Sequence, residues 1–108
     1  MNLQTETFED VIVVHAPDDL GGDHAEDFSD FVSTLELTQI VVDLDGTEMI
    51  DSAGLTALLD SRDALHERGG ELKVATTNSN NRKILEITQL DRQLEVFDTV
   101  VGAVRAFR

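Results

Sequence analysis

The sequence has no cysteine, a single proline, and no lysine or arginine in residues 1–50. Without cysteine, the chain can form no disulfide, no thiolate metal site and no cysteine nucleophile. No apolar run approaches the length of a membrane span, and the N-terminus has neither the basic nor the apolar region of a secretory signal. These absences predict a cytoplasmic protein.

Acidic residues outnumber basic ones, and the excess lies in the first half. Residues 1–50 hold thirteen Asp and Glu and no Lys or Arg, whereas residues 51–108 hold nine Asp and Glu and eight Lys and Arg. The first half therefore carries −13 and the second half −1 of the formal net charge of −14. No basic patch exists to neutralise phosphates, which argues against nucleic-acid binding. The acidic half is either a solvated surface that keeps the protein soluble or a docking surface for a basic partner.

Alternating strand and helix patterns predict a single α/β domain over residues 1–108. Runs of β-branched and apolar residues predict strands at 11–14, 39–44, 72–76 and 94–97. Apolar residues at helical spacing predict helices over 24–36, from Ser52 to Gly69, around Ile84, Leu85 and Ile87, and around Val100, Val101, Val104 and Phe107. The predicted order is β-β-α-β-α-β-α-β-α. It implies a mixed, largely parallel sheet with packed helices and allows an antiparallel pair at the start.

The segment Asp51–Gly54, with the sequence Asp-Ser-Ala-Gly, lies where a strand gives way to an amphipathic helix. Its position puts the Ser52 hydroxyl at a helix N-terminus, where free backbone N–H groups and the macrodipole favour an added anion. Two interpretations are open. Ser52 is the N-cap that satisfies the first-turn amides, or it is a residue that accepts a phosphoryl group.

Patterns typical of catalysis or cofactor binding are missing. The residue two positions before Ser52 is Ile50 and not the glycine of a nucleophile elbow, and none of the three histidines is placed by the sequence to act as its base. The acidic residues before the site lack the spacing of a metal-binding loop, and no Gly-rich phosphate loop is present. We therefore predict no catalytic residue, no metal site and no cofactor, as in a substrate or binding module rather than an enzyme.

Two segments resemble a STAS domain of the bacterial anti-sigma-factor antagonist type, and the similarity covers nearly the whole chain. In residues 40–70, an apolar strand leads to Ile-Asp-Ser-Ala-Gly-Leu and then to a helix that ends at Arg-Gly-Gly. In residues 80–91, Asn-Asn-Arg-Lys-Ile-Leu-Glu-Ile-Thr-Gln-Leu-Asp resembles the family's helix before the last strand. The resemblance implies a STAS-type fold formed by one domain.

The resemblance also implies control by phosphorylation. In antagonists of this family, the serine after the Asp is phosphorylated by a GHKL-type partner that is both anti-sigma factor and serine kinase, and here that serine is Ser52. The unphosphorylated protein would bind the kinase and release a sigma factor, and a PP2C-type phosphatase would restore that state. ATP belongs to the kinase, so no cofactor is implied. The implied partner-binding residues are Asp51, Ser52, Ala53, Gly54, Asp18 and Asp19.

Some positions depart from the family pattern. The turn at residues 16–21 carries its acids in a shifted register, Ala53 stands where many antagonists have Ser or Thr, and Gln89 replaces a frequent Gly. The alternative interpretation is an unphosphorylated STAS subunit of a lipid-transport ABC complex or a stressosome-like assembly. An exposed apolar patch away from Ser52 would favour this alternative, whereas a small polar-rimmed surface around Ser52 would favour the switch.

Overall fold

The computed structural model describes residues 1–107, which form two sheets and four α-helices. The strands are Thr5–Phe8 (β1), Val11–His15 (β2), Asp19–Leu20 (β3), Gln39–Asp43 (β4), Met49–Ile50 (β5), Glu71–Ala75 (β6) and Glu95–Phe97 (β7). The helices are Asp23–Ser33 (α1), Ser52–Glu67 (α2), Ser79–Ile87 (α3) and Val100–Arg105 (α4), and a 3-10 turn, Leu90–Arg92, follows α3.

The main sheet has the strand order β1-β2-β4-β6-β7. β1 is antiparallel to β2, and every other pair is parallel. This arrangement confirms the predicted order and the mixed, largely parallel sheet. The two-residue strands β3 and β5 form a separate parallel pair that was not predicted, because two residues are too few to show a period of two.

The sheet divides the core in two. On one face, α1, α2 and α3 pack on the strands, with Phe28, Leu58 and Leu85 buried between them. On the other face, the short helix α4 packs over Val13 and Val41, together with Phe97 and Phe107. Because the central strands are buried on both faces, their sequences read as continuous apolar runs.

Two predicted core residues lie at the surface, and one helix is shorter than predicted. Ile87 is 71% exposed because it lies two positions after the buried Leu85 and so points away from that side of α3. Val101 is 58% exposed because no described element packs on the outer side of α4. α1 ends at Ser33, three residues before the predicted boundary.

The backbone at the end of α3 bears on Gln89, where the resemblance to STAS antagonists leads us to expect a glycine. Thr88 is the C-cap of α3, and Gln89 follows it with φ 61° and ψ 19°, a left-handed conformation. A residue at this position after a helix is commonly glycine, because a Cβ is disfavoured there. Gln89 therefore adopts a backbone conformation that suits glycine better than glutamine.

We expect Gln89→Gly to stabilise the fold by about 1 kcal/mol, because glycine relieves the left-handed penalty at the expense of some backbone entropy. The matched control is Gln93→Gly, where φ is −104° and glycine brings only the entropy loss. Urea unfolding of the three proteins measures both effects. A loss of stability in Gln89→Gly as large as that in Gln93→Gly would contradict the prediction.

Candidate functional site

The carboxylate of Asp51 joins the starts of two helices. It is the N-cap of α2, and its Oδ1 accepts a hydrogen bond from the Gly54 N–H at 3.0 Å. Its Oδ2 accepts a hydrogen bond from the N–H of Gly22, the N-cap of α1, at 3.0 Å. These backbone hydrogen bonds lower the pKa of Asp51, which therefore stays ionised at neutral pH.

Two glycines make this arrangement sterically possible. A Cβ on Gly21 would lie 2.7 Å from the Asp51 carboxylate, so a side chain there would displace the cap. A Cβ on Gly54 would lie 1.8 Å from the carbonyl oxygen of Leu20 in β3. The glycine of the Asp-Ser-Ala-Gly segment thus lets the first turn of α2 lie directly against β3.

Ser52 is the first residue of α2 and is exposed. Because Asp51 caps the helix, the interpretation of Ser52 as the N-cap is wrong. Within residues 1–107, the Ser52 hydroxyl makes no hydrogen bond, and only the Ser52 carbonyl is engaged, by the Thr56 hydroxyl at 2.9 Å. The site therefore presents a free hydroxyl at the N-terminus of a 16-residue helix.

Depressions on both sides of this helix start carry acidic groups. A groove of about 490 Å³ between α1 and α2 contains Ser52 together with Glu26 and Asp60. A second depression, of about 280 Å³, is lined by Asp19, Glu48, Met49, Ile50, Asp51 and Ile84. Neither lining includes a basic residue. The charged groups around Ser52 are thus all negative, and alanines in the groove and the exposed Met49 add apolar surface beside them.

The structure separates the other predicted partner-binding residues. Asp19 shares a depression with Asp51. Asp18 is exposed, and its backbone carbonyl accepts hydrogen bonds from the N–H groups of Glu48 and Met49. Ala53 lines the groove beside Ser52. Gly54 is buried, so any effect it has on a partner would act through the position of its neighbours.

A buried amide that the sequence analysis missed holds the loop before the site. Asn81 in α3 is 1% exposed, and its Nδ2 donates to the carbonyls of Leu44 at 3.1 Å and Thr47 at 2.8 Å. The buried Thr47 hydroxyl donates to the Pro17 carbonyl at 2.8 Å. The run Asn-Ser-Asn-Asn at 78–81 gave no signal for this role, since every residue in it suits a helix cap.

A cluster of titratable side chains lies at the ends of β2 and β4. His15 Nδ1 lies 2.7 Å from Asp43 Oδ2, and its Nε2 lies 2.7 Å from Glu6 Oε1. Ionised carboxylates can only accept hydrogen bonds, so the imidazole must donate a hydrogen bond from each of its nitrogens, as the protonated form does. Burial lowers the pKa of His15, but the hydrogen bonds to Glu6 and Asp43 outweigh it and raise the pKa above 6.5.

The histidines do not supply a base for Ser52. His15 is held by two carboxylates, and His66 Nε2 pairs with Glu71 at 2.8 Å. His24 is exposed near the start of α1, and its side chain has no hydrogen bond within the described part of the chain. Within residues 1–107, no group of three or more His, Asp or Glu could hold a metal ion, and no helix is long and apolar enough to cross a membrane.

Comparison with known proteins agrees with this architecture. The family model for the STAS domain matches residues 2–103. The Anti-sigma F factor antagonist of Paenibacillus polymyxa is 25% identical over 111 aligned positions, which cover 96% of this chain and 94% of that protein. The chain therefore belongs to the STAS domain family, and its relatives include anti-sigma factor antagonists.

Solved structures show the same fold. An anti-sigma factor antagonist from Mycobacterium paratuberculosis superposes with a TM-score of 0.85 at 21% identity, over 97% of this chain and 92% of that one. The Bacillus cell fate determinant SpoIIAA in its phosphorylated form superposes with a TM-score of 0.72 at 19% identity, over 99% of this chain and 100% of that one. At these identities the likeness establishes the fold.

We expect Gly54→Ala to destabilise the protein by about 3 kcal/mol or more, because its Cβ would overlap the Leu20 carbonyl, and backbone atoms must move to accommodate it. Gly46→Ala is the matched control, since nothing lies within 4 Å of the Cβ position there. Thermal and urea unfolding measure the difference between the variants. Equal stabilities of the two variants would refute the close approach of α2 and β3.

The raised pKa of His15 predicts that its contribution to the free energy of unfolding depends on pH. The contribution is fully present below the unfolded pKa of about 6.5 and is lost as pH rises through the higher folded pKa. The stability gap between wild type and His15→Gln should therefore shrink from about pH 5.5 to about pH 8.5. Glu6→Gln should weaken this pH dependence, because it removes one of the two carboxylates. A gap that stays constant over this range would contradict the doubly bonded imidazolium.

Proposed function

We propose that this protein is an anti-sigma-factor antagonist that works by partner switching. Unphosphorylated, it binds an anti-sigma-factor serine kinase of the GHKL type and thereby causes release of a sigma factor. The kinase phosphorylates Ser52 and ends the complex, and a PP2C-type phosphatase restores the first state. The observation that carries this proposal is the exposed Ser52 hydroxyl, which the cap formed by Asp51 leaves unbonded among the described residues.

The position of Ser52 is compatible with a phosphate. The N-terminus of a long helix stabilises an added anion, so the fold should persist after modification. Because the hydroxyl lies on an open groove, a kinase can reach it without unfolding the helix. Phosphorylation would then change the surface of the protein rather than its architecture.

The charge around Ser52 supports an on–off effect of phosphorylation on binding. A phosphate adds about −1.5 to −2 charges at pH 7 to a groove that already holds Glu26 and Asp60. A partner fitted to the bare hydroxyl would meet new bulk and an unpaired charge together. Such a change weakens binding on the order of 10²–10³-fold.

A second candidate function is favoured by one specific observation. Phe8 is 41% exposed and Val101 is 58% exposed, and both line an apolar cleft on the side of the sheet opposite α2. An exposed apolar surface away from Ser52 is what an unphosphorylated subunit of a lipid-transport ABC or stressosome-like complex would need. In that case, Ser52 would be an ordinary surface residue.

The two functions can be separated with three baits in native lysate with added ADP or ATP. The baits are the wild type, Ser52→Glu and the control Ser79→Glu. Ser79 matches Ser52 closely, because it is the exposed first residue of α3 and follows a cap, Asn78. We expect the wild type and Ser79→Glu to retain a GHKL-type kinase and Ser52→Glu to lose it, with Ser52 phosphorylated after incubation with ATP.

The same experiment can overturn the proposal. Retention of one non-kinase partner, such as a transporter ATPase, by all three baits would favour the subunit function. Loss of the kinase from both Glu variants would show that added charge, rather than its position at Ser52, disrupts binding. Unfolding curves of the three baits should coincide closely, since both substitutions put a carboxylate at a helix N-terminus.

A further inference from the structure

The outer edge of β1 and the helix α4 form a surface that the proposed switch does not use. Between them lies a cleft of about 250 Å³, lined by Phe8, Val100, Val101, Val104 and Arg105. The cleft is on the α4 face of the sheet, whereas Ser52 starts α2 on the opposite face. Occupation of one surface therefore leaves the other accessible.

β1 presents unused backbone hydrogen-bonding groups beside this cleft. In the β1–β2 ladder, Glu6 lies opposite Val13, and the His15 N–H donates to the Gln4 carbonyl at 3.0 Å. Hydrogen-bonded pairs alternate along an antiparallel ladder, so the N–H and C=O groups of Thr5 and Thr7 point away from β2. All four residues of β1 are exposed, and within residues 1–107 no strand pairs with this edge.

The cluster around His15 fixes this edge in place. Glu6 Oε1 in β1 contacts the imidazole of His15 in β2, and the same imidazole contacts Asp43 in β4. His15 therefore links β1 to the two interior strands. The Glu6 side chain remains 57% exposed. An additional cation can therefore approach Glu6 from the open side of β1.

Charge decides which chain can pair with this edge. If two copies formed an antiparallel pair through the outward backbone groups of Thr5 and Thr7 in each strand, Glu6 would lie opposite Glu6 of the other copy. Like charges directly opposite are destabilising, and each copy carries a formal charge of −14. A strand with a basic residue opposite Glu6 gains a favourable charge pair, and an apolar residue two positions along that strand, on the same face as Phe8, can enter the cleft.

We propose that the outer edge of β1 is a docking site for an extended, basic segment of a partner protein, which adds to the main sheet as a sixth strand. Backbone groups of Thr5 and Thr7 hold the segment, Glu6 selects a Lys or Arg, and the cleft between Phe8 and Val101 receives an apolar side chain. In this mode of recognition, main-chain hydrogen bonds supply affinity and alternate side chains supply specificity.

The probe for this site is a capped synthetic peptide of about eight residues with the repeat Thr-Lys-Thr-Val, which puts lysine and valine on the same face of the strand, added to the ¹⁵N-labelled full chain. We expect the amide signals of Thr5, Thr7 and Val101 to shift and exchange of the two threonine amides to slow. The matched peptide with glutamate in place of lysine should bind at least about tenfold more weakly. The lysine peptide with every second residue N-methylated lacks half of its backbone donors and should lose binding to the wild-type protein.

Three variants locate the peptide on the surface. Thr7→Pro removes only an outward N–H, a change that edge strands tolerate, and Phe8→Ser removes the apolar wall. Each should weaken peptide binding about tenfold. The matched control is Met49→Ser, which removes an exposed apolar side chain beside Asp51 and should leave the affinity unchanged. Ser52→Glu should also leave it unchanged, which keeps this test independent of the phosphorylation switch.

Several results would overturn the proposal. Equal binding of the lysine and glutamate peptides would remove the basis for selecting a basic partner. Unchanged affinity of Thr7→Pro, or peptide-induced shifts around Ser52 in place of β1, would exclude addition to the sheet edge. Protection of the Thr5 and Thr7 amides in the free protein, together with self-association in sedimentation, would identify a second copy as the occupant.

Discussion

The candidate site depends on one interaction, the acceptance of two backbone N–H groups by the Asp51 carboxylate. One N–H comes from the first turn of α2 and the other from the residue before α1, so a single charged group fixes two helix starts. Gly21 and Gly54 leave the space that this contact requires. Because the cap is supplied by Asp51, the neighbouring Ser52 hydroxyl is left without a hydrogen bond among the described residues, as the proposed phosphorylation requires.

The sheet separates two surfaces of different character. On the α1–α2 side, Ser52 shares a groove with the acids Glu26 and Asp60. On the other side, the short helix α4 leaves part of the sheet edge and an apolar cleft uncovered. The first surface offers an exposed hydroxyl among acids, whereas the second offers a strand edge that carries Glu6 beside an apolar cleft.

The fold could be predicted from the sequence because most of its elements carry long, regular patterns. Strands β2 and β4 are buried on both faces, so their centres are continuous apolar runs, and α2 is long enough to display its apolar side. The short pair β3–β5 and the exposure of Ile87 could not be predicted in this way. Two residues show no period, and Ile87 lies two positions after Leu85 but three after Ile84, so its spacing alone does not decide which side of the helix it shares.

For the site, the sequence by itself determined that an Asp-Ser-x-Gly segment starts a helix after a strand, because the polarity pattern changes there. Only the tertiary structure decided which residue caps that helix, since both Asp and Ser can do so and the choice depends on the Gly22 N–H, 29 residues away. It likewise decided that Asn81 holds the loop before the site and that Glu6 and Asp43 share His15. These contacts join residues that are distant in the chain, and no local pattern records them.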